Sequence, residues 1–234
     1  MIMYRLNIGR CFNTLLLLLV VSSVHAQEVM ILGVPELAPF TYLDGNDIEG
    51  DALKPIQQIM TNSNIPYKLV YLENYTKLLK AVRKQSIHGF FLATKNVERD
   101  KYAEFSIPIL MDSYSWFILN QAPYELNSEA FKLNAKVGAV NRTNSFRLAT
   151  RRGYQVYGQP SPLLAQQFIN QTIDAVFATQ SPFEYQLQKL KFPKNRYRIE
   201  FESDRPFGIY VSKQYIRRHP DTMTLINQQI KALK

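Results

Sequence analysis

Thr94-Lys95-Asn96-Val97-Glu98-Arg99-Asp100-Lys101-Tyr102-Ala103-Glu104-Phe105-Ser106-Ile107-Pro108 is the stretch on which the fold turns. It predicts a loop, a short helical turn and a re-entry into strand. Thr94 and Asn96 carry side-chain oxygens able to cap the turn from Glu98 to Lys101. Phe105 and Ile107 are residues to bury, and Pro108 fixes an extended exit. Arg99 is then held at a sheet edge beside a hydroxyl. A guanidinium so placed is a fork for a carboxylate. The same spacing allows a surface arginine paired with Glu98 or Glu104, and the stretch alone leaves both open.

What flanks it is more decisive. Before it, 29–34 reads as strand, 40–43 as a second strand and Asp44-Gly45-Asn46-Asp47 as a turn. A helix runs from Gly50-Asp51 to Asn62 with Leu53, Ile56, Ile59 and Met60 on one face. Then come strand 67–72, a helix over 75–84 capped by Asn74, and strand 87–93. The order βαβαβ implies parallel pairing with helical crossovers. Beyond it, 113–119 reads as strand and 121–127 as loop, and a second α/β series follows. Its strands are 136–140, 154–157, 173–178 and 197–201. Its helices are 143–152, closed by Gly153, then 161–171 with Pro162 at its first position, then 181–190. Strand 206–212 and an amphipathic helix over 220–233 form no third unit and can return to the first. Two series predict two lobes, divided as 27–111 with 203–234, and 112–202. Ligands of open α/β sheets sit outside the carboxyl ends of strands, so the expected site is the cleft between lobes.

The chain has 234 residues. Arg5 and Arg10, the apolar run Leu15 to Val21 and Val24-His25-Ala26 spell a cleavable signal peptide over 1–26 that exports the rest, and an exported chain without a disulfide suits a bacterial periplasm. The apolar run is too short to span a bilayer. The only cysteine, Cys11, lies inside that signal, so the mature chain holds no disulfide, zinc thiolate or cysteine nucleophile. Lys and Arg number 28 against 19 Asp and Glu. The cations are scattered, without an Arg-rich run, which speaks against nucleic acid and for a field that favours an anionic small molecule or membrane surface. His88 and His219 have no metal spacing and no serine or cysteine partner, and no phosphate-binding glycine loop occurs. No metal or cofactor is expected, and the chain is expected to act as a monomer.

Several stretches, in this order, carry a resemblance. They are Gly33-Val34 with Pro39-Phe40-Thr41-Tyr42; Gly50-Asp51; Tyr75 to Leu79 with Val82; Thr94 with Glu98-Arg99 and Phe105 to Pro108; Val137 to Val140 with Thr143; Asp174-Ala175-Val176; and Phe207-Gly208-Ile209 with Lys213. From Val29 to Leu233 the chain resembles the extracellular solute-binding proteins of family 3, the periplasmic receptors that feed polar amino acid ABC transporters. The resemblance implies the type II periplasmic-binding fold, two α/β lobes joined by two crossover strands and closing on ligand by a hinge. It implies that Arg99 clamps a ligand carboxylate, that Thr94 donates beside it and that Tyr75 walls the site. It places Arg142-Thr143 at the helix start whose amides meet the same carboxylate. Tyr75, Thr143 and Phe40 can equally be packing or capping residues.

Four positions depart from the pattern. Thr179 stands where the family has an acid for the ligand's ammonium, and Leu37, His88 and Arg142 replace an aromatic residue, an aspartate and a glycine. The expected last helix also stops early, where the family has a further short helix. Glu36 or Glu184 could supply the missing charge. A carboxylated ligand without an ammonium, or another anion, fits Arg99, Arg142 and the basic balance at least as well. The leading expectation is therefore a non-enzymatic receptor that hands a small carboxylated solute to an ABC permease or a membrane sensor. A small periplasmic lyase or hydrolase using Glu36 or Glu184 is one rival, and an adaptor without small-molecule binding is another.

Overall fold

The computed structural model describes residues 28–141 and 143–233. The expected signal peptide, with Cys11, lies outside the described residues.

The first lobe forms around three parallel strands: β1 (Met30–Pro35), β4 (Tyr67–Leu72) and β5 (Gly89–Ala93). β1 lies in the middle, Met30 against Tyr67 on one side and Leu32 against Gly89 on the other. Near-continuous apolar runs suit strands covered on both faces. The crossover helices α1 (Leu53–Asn62) and α2 (Tyr75–Arg83) bury Leu53, Ile56, Ile59 and Met60, and Leu78 and Val82. Between β1 and α1 lies a small hairpin, β2 (Tyr42–Asp44) with β3 (Asp47–Glu49). Gly50 follows at φ +130, where a Cβ would run into the Phe40 carbonyl. That backbone approach delays α1 to Leu53, later than the sequence pattern suggests.

The stretch from Thr94 becomes the short helix α3 (Val97–Asp100) and strand β6 (Ala103–Phe105), which pairs with the last strand. The second lobe holds β8 (Lys136–Val140), β9 (Gln155–Gln159) and β10 (Ala175–Thr179), with α5 (Asn144–Arg151), α6 (Ser161–Ile169) and α7 (Gln180–Lys189). β8 lies parallel between β9 and β10. Its core has Phe117, Phe168 and Phe183 on one side of the sheet and Trp116, Phe131 and Phe177 on the other.

Two long strands join the lobes. β7 (Leu110–Leu119) and β11 (Tyr197–Ser212) are antiparallel to one another from Tyr197 to Phe207. From Gly208 onward β11 pairs with β5 and β6 of the first lobe, while β7 pairs with β10 of the second. The sequence pattern shows two strands, 197–201 and 206–212, because Glu202-Ser203-Asp204 has no apolar alternation. The ladder to β7 continues through those polar residues past a bulge between Phe201 and Ser203. Two short helices carry too few apolar positions to show a period: α4 (Glu129–Asn134), which buries Phe131, and α8 (Lys213–Arg218), which buries Tyr215. The last helix, α9 (Thr222–Ala232), returns to the first lobe, where Ile226 and Ile230 share a core with Ile56 and Ile59.

Candidate functional site

The site residues stand where strands run out. β5 ends in a bulge against β11, with Leu92 at φ +56, a left-handed conformation that costs a side-chain-bearing residue about 1–3 kcal/mol. The turn frees the Leu92 carbonyl from the ladder, and the Tyr75 hydroxyl donates to it. Tyr75 is the first residue of α2, which is capped by Asn74 accepting from the Lys77 amide. Asn96 caps α3, accepting from the Glu98 amide at 2.9 Å; Thr94, the other expected cap, is buried and turned elsewhere.

Arg99, within the single turn of α3, folds inward and is only 7% exposed. One guanidinium nitrogen donates to the Thr94 carbonyl at 2.9 Å. Its Cζ lies 5.6 Å from the Tyr75 ring centre and 6.0 Å from that of Tyr210. Burial lowers the guanidinium's pKa from its ordinary value, opposed by the neighbouring tyrosines. Glu98, the surface partner considered for Arg99, is bound to Lys101 at 2.8 Å. Among the described residues no carboxylate forms an ion pair with Arg99. Tyr210 steadies the α3 turn, accepting from the Asn96 amide and donating to Asp100, both at 2.8 Å.

The second lobe presents the start of α5. Thr143 caps it, donating to the Val140 carbonyl at 2.6 Å and accepting from the Phe146 amide at 3.3 Å. Arg142 lies outside the described residues. Asn144 crosses the cleft. Its amide nitrogen donates to the Thr94 hydroxyl at 2.7 Å, and its oxygen accepts from Asn96 at 3.2 Å and from Arg147. Asn144 carries no sequence signal beyond its place directly after the capping threonine.

Other sequence-predicted residues have partners of their own. Thr179 ends β10, buried, with its backbone paired to Tyr114, and makes no side-chain cap for α7. The cap comes from Asp112 of β7, whose carboxylate accepts from the Ser181 hydroxyl at 3.1 Å and the Ser181 amide at 3.3 Å. Glu184 accepts from Gln180 at 3.1 Å and from Lys194 at 3.4 Å. Glu36 accepts from the Tyr71 hydroxyl. Phe40 packs edge-on against Phe207 in the first lobe's core, ring centres 5.7 Å apart. A cavity of about 280 Å³ opens between the lobes, away from Arg99. Glu36 and Tyr42 line it from one lobe, Pro162, Gln166 and Tyr185 from the other, and the two tyrosine rings stack at 6.4 Å.

No family model matches the chain, and no curated protein matches it. Many solved structures do. A histidine kinase sensor domain with similarity to periplasmic binding proteins superposes with a TM-score of 0.75 at 12% identity, covering 88% of this chain and 90% of its own. The GluR0 ligand-binding core from Nostoc punctiforme, in complex with L-glutamate, gives 0.72 at 16%, covering 87% and 92%. The arginine-, lysine-, histidine-binding protein ArtJ from Geobacillus stearothermophilus gives 0.71 at 16%, covering 88% and 89%. The chain thus has the two-lobed periplasmic-binding-protein fold.

Proposed function

We propose that this chain is a periplasmic solute-binding protein. It captures a small carboxylated solute between its lobes and presents the closed form to an ABC permease or a membrane sensor. The lobes we propose are 27–111 with 203–234, and 112–202, following a cleaved signal over 1–26. The observation that carries the reading is Arg99. A cation 7% exposed, facing the neutral carbonyl of Thr94, the residue that Asn144 reaches from the other lobe, is costly unless an anion visits it. Arg99 would clamp the carboxylate, Thr94 would donate beside it, Tyr75 would wall the site, and the α5 start at Thr143 would offer its amides. Two of the similar structures bind amino acids by their own descriptions, which favours a guest of that size. Glu36, Tyr42 and Tyr185 would meet its far end. The reading is non-enzymatic, in keeping with similar structures described as binding proteins and a ligand-binding core.

One observation favours a second reading. The Asn144–Thr94 bond joins the lobes directly, and a similar structure is a sensor domain. A unit that closes on itself would signal by opening. Thermal-shift screening of the mature chain against amino and organic acids, followed by small-angle scattering of each hit, tests the choice. Stabilisation by a carboxylate supports the receptor. A chain equally compact without ligand, and unmoved by any acid, supports the self-closing sensor unit.

A further inference from the structure

Neither Arg99 nor Thr94 lines the cavity of about 280 Å³ between the lobes. Its volume lies at the lower edge of the about 300–1,000 Å³ typical of small-molecule pockets. Its polar groups come from both lobes. Glu36, directly after β1, stands exposed at its rim. Tyr42 of β2 and Tyr185 of α7 are half-buried, and their ring planes lie within 26° of parallel. Gln166 of α6 and Gln186 of α7 add side-chain amides, and the exposed Lys189 adds a cation on a flexible stem. The Tyr71 hydroxyl donates to one oxygen of Glu36, Oε2. Burial and then that bond raise the Tyr71 phenol's pKa, so Tyr71 stays a neutral donor and leaves the charge on Glu36.

The first-lobe wall of this cavity belongs to the acidic part of a basic chain. The formal net charge of the whole is +9, yet residues 29–53 hold Glu36, Asp44, Asp47, Glu49 and Asp51 and no lysine or arginine. None of these five carboxylates forms an ion pair among the described residues. Glu49 stands directly across the β2–β3 ladder from Tyr42. Burial raises the Tyr42 phenol's pKa, and Tyr185, Glu49, Asp44 and Asp51 push it the same way. A cleft wall of one sign concentrates its field in the gap and draws in the opposite charge. The faces of tyrosine rings are negative as well and attract a cation. Lys189 is the one cation lining the cavity, and its exposed head can turn to solvent.

We propose that this cavity takes a small alkylguanidinium or alkylamine, its N–H groups on Glu36 and its charge against the faces of Tyr42 and Tyr185. The site works without Arg99 and asks for no carboxylate on the guest. A guanidinium meets both features of the cavity, being flat enough to stack on a ring and forked to match a carboxylate. Gln166 and Gln186 offer amide oxygens to its remaining N–H groups. Because one wall is in each lobe, an occupant gripped by Glu36 and Tyr42 on one side and Tyr185 on the other draws the lobes together.

The test is low-salt calorimetry on the mature chain with butylguanidinium and butylamine, against tetramethylammonium as a cation without N–H and butyrate as the matching anion. The better of the two N–H cations should bind about tenfold or more tighter than either control. Glu36→Gln should weaken it about tenfold, the lower end for a charge-assisted hydrogen bond, and being at an exposed position it keeps the fold. Tyr42→Leu and Tyr185→Leu should each weaken it about 2–5-fold, the worth of an exposed cation–π contact. Lys189→Gln should tighten it by about twofold or more, because a like charge is gone. Arg99→Gln, outside the cavity, should change it by less than about twofold. Asp47→Asn is the control, an acid of the same hairpin that does not line the cavity. A loss there equal to that in Glu36→Gln would reveal a diffuse field and overturn the site. Equal affinity for tetramethylammonium would overturn the ligand class. Tight butyrate binding that Lys189→Gln abolishes would reverse the charge assignment. If neither N–H cation binds, the cation site falls, while the receptor reading stands on its own test with acids.

Discussion

The amide of Asn144, in the second lobe, donates to the hydroxyl of Thr94, in the first, at 2.7 Å. The bond ties the first residue of α5 to the loop that leaves β5, the two segments a guest's carboxylate would have to enter between. With the stacked rings of Tyr42 and Tyr185, it holds the two lobes together.

Asn144→Ala should loosen that closure. A net hydrogen bond is worth about 1 kcal/mol, or roughly fivefold in an equilibrium. The variant should shift toward the open form, seen as a larger radius of gyration in small-angle scattering, with little loss of melting temperature. An unchanged radius in a folded variant would mean that other contacts hold the lobes.

Gly50→Ala should destabilise the first lobe by about 2 kcal/mol, because φ +130 and the Phe40 carbonyl both exclude a Cβ. The control is Gly45→Ala at φ +60, where nothing stands within 4 Å. It should cost about 1 kcal/mol, the left-handed penalty alone. Urea unfolding of the two variants checks the order, and equal losses would count against the close approach.

Much of the fold was legible from periodicity. The strands and helices of both series have strong apolar patterns, and the amphipathic 220–233 segment returns to the first lobe as α9. Elements shaped by tertiary pairing were not legible. β3 and the middle of β11 are polar, and α4 and α8 are six residues each. At the site, the sequence pointed to Arg99 through its motif. It gave no sign of Asn144, whose bond to Thr94 depends on contact between the lobes. Phe40 shows the reverse, an aromatic in a promising loop that packs into the core.

Acid should undo the tie between the two ends of the described chain. Glu28 accepts from Arg218 at 2.9 and 3.0 Å and contacts His219 at 2.9 Å and His88 at 3.4 Å. The Arg218 and His219 bonds lower its carboxyl pKa from 4.5 to about 2. A depressed acid adds stability that is present above the unfolded value of 4.5 and lost as pH falls through the folded value near 2. Burial also lowers the pKa of His88, so its neutral form adds stability above its ordinary 6.5 that is lost as pH drops below it. Glu28→Gln should flatten the stability profile between pH 4.5 and 2, measured by urea midpoints. A slope equal to wild type there would place the acid sensitivity elsewhere.

Ser106 fixes the path from α3 to the crossing strands. Its buried hydroxyl donates to the Ile107 carbonyl at 2.7 Å and accepts from the Ile209 amide at 2.9 Å. Ser106→Ala should cost about 1–3 kcal/mol by leaving that amide one acceptor short. Hydrogen exchange at Ile209 should speed up accordingly, and unchanged protection would show that the ladder alone holds it.

The most direct measurement is a calorimetric titration of wild type and Arg99→Gln with the acid that most stabilises the wild type. The variant should bind about 10–150-fold more weakly, with its own melting temperature kept or raised as a buried charge disappears. Equal affinity in the two proteins would show that the guest's negative end rests elsewhere and that Arg99 is no anchor.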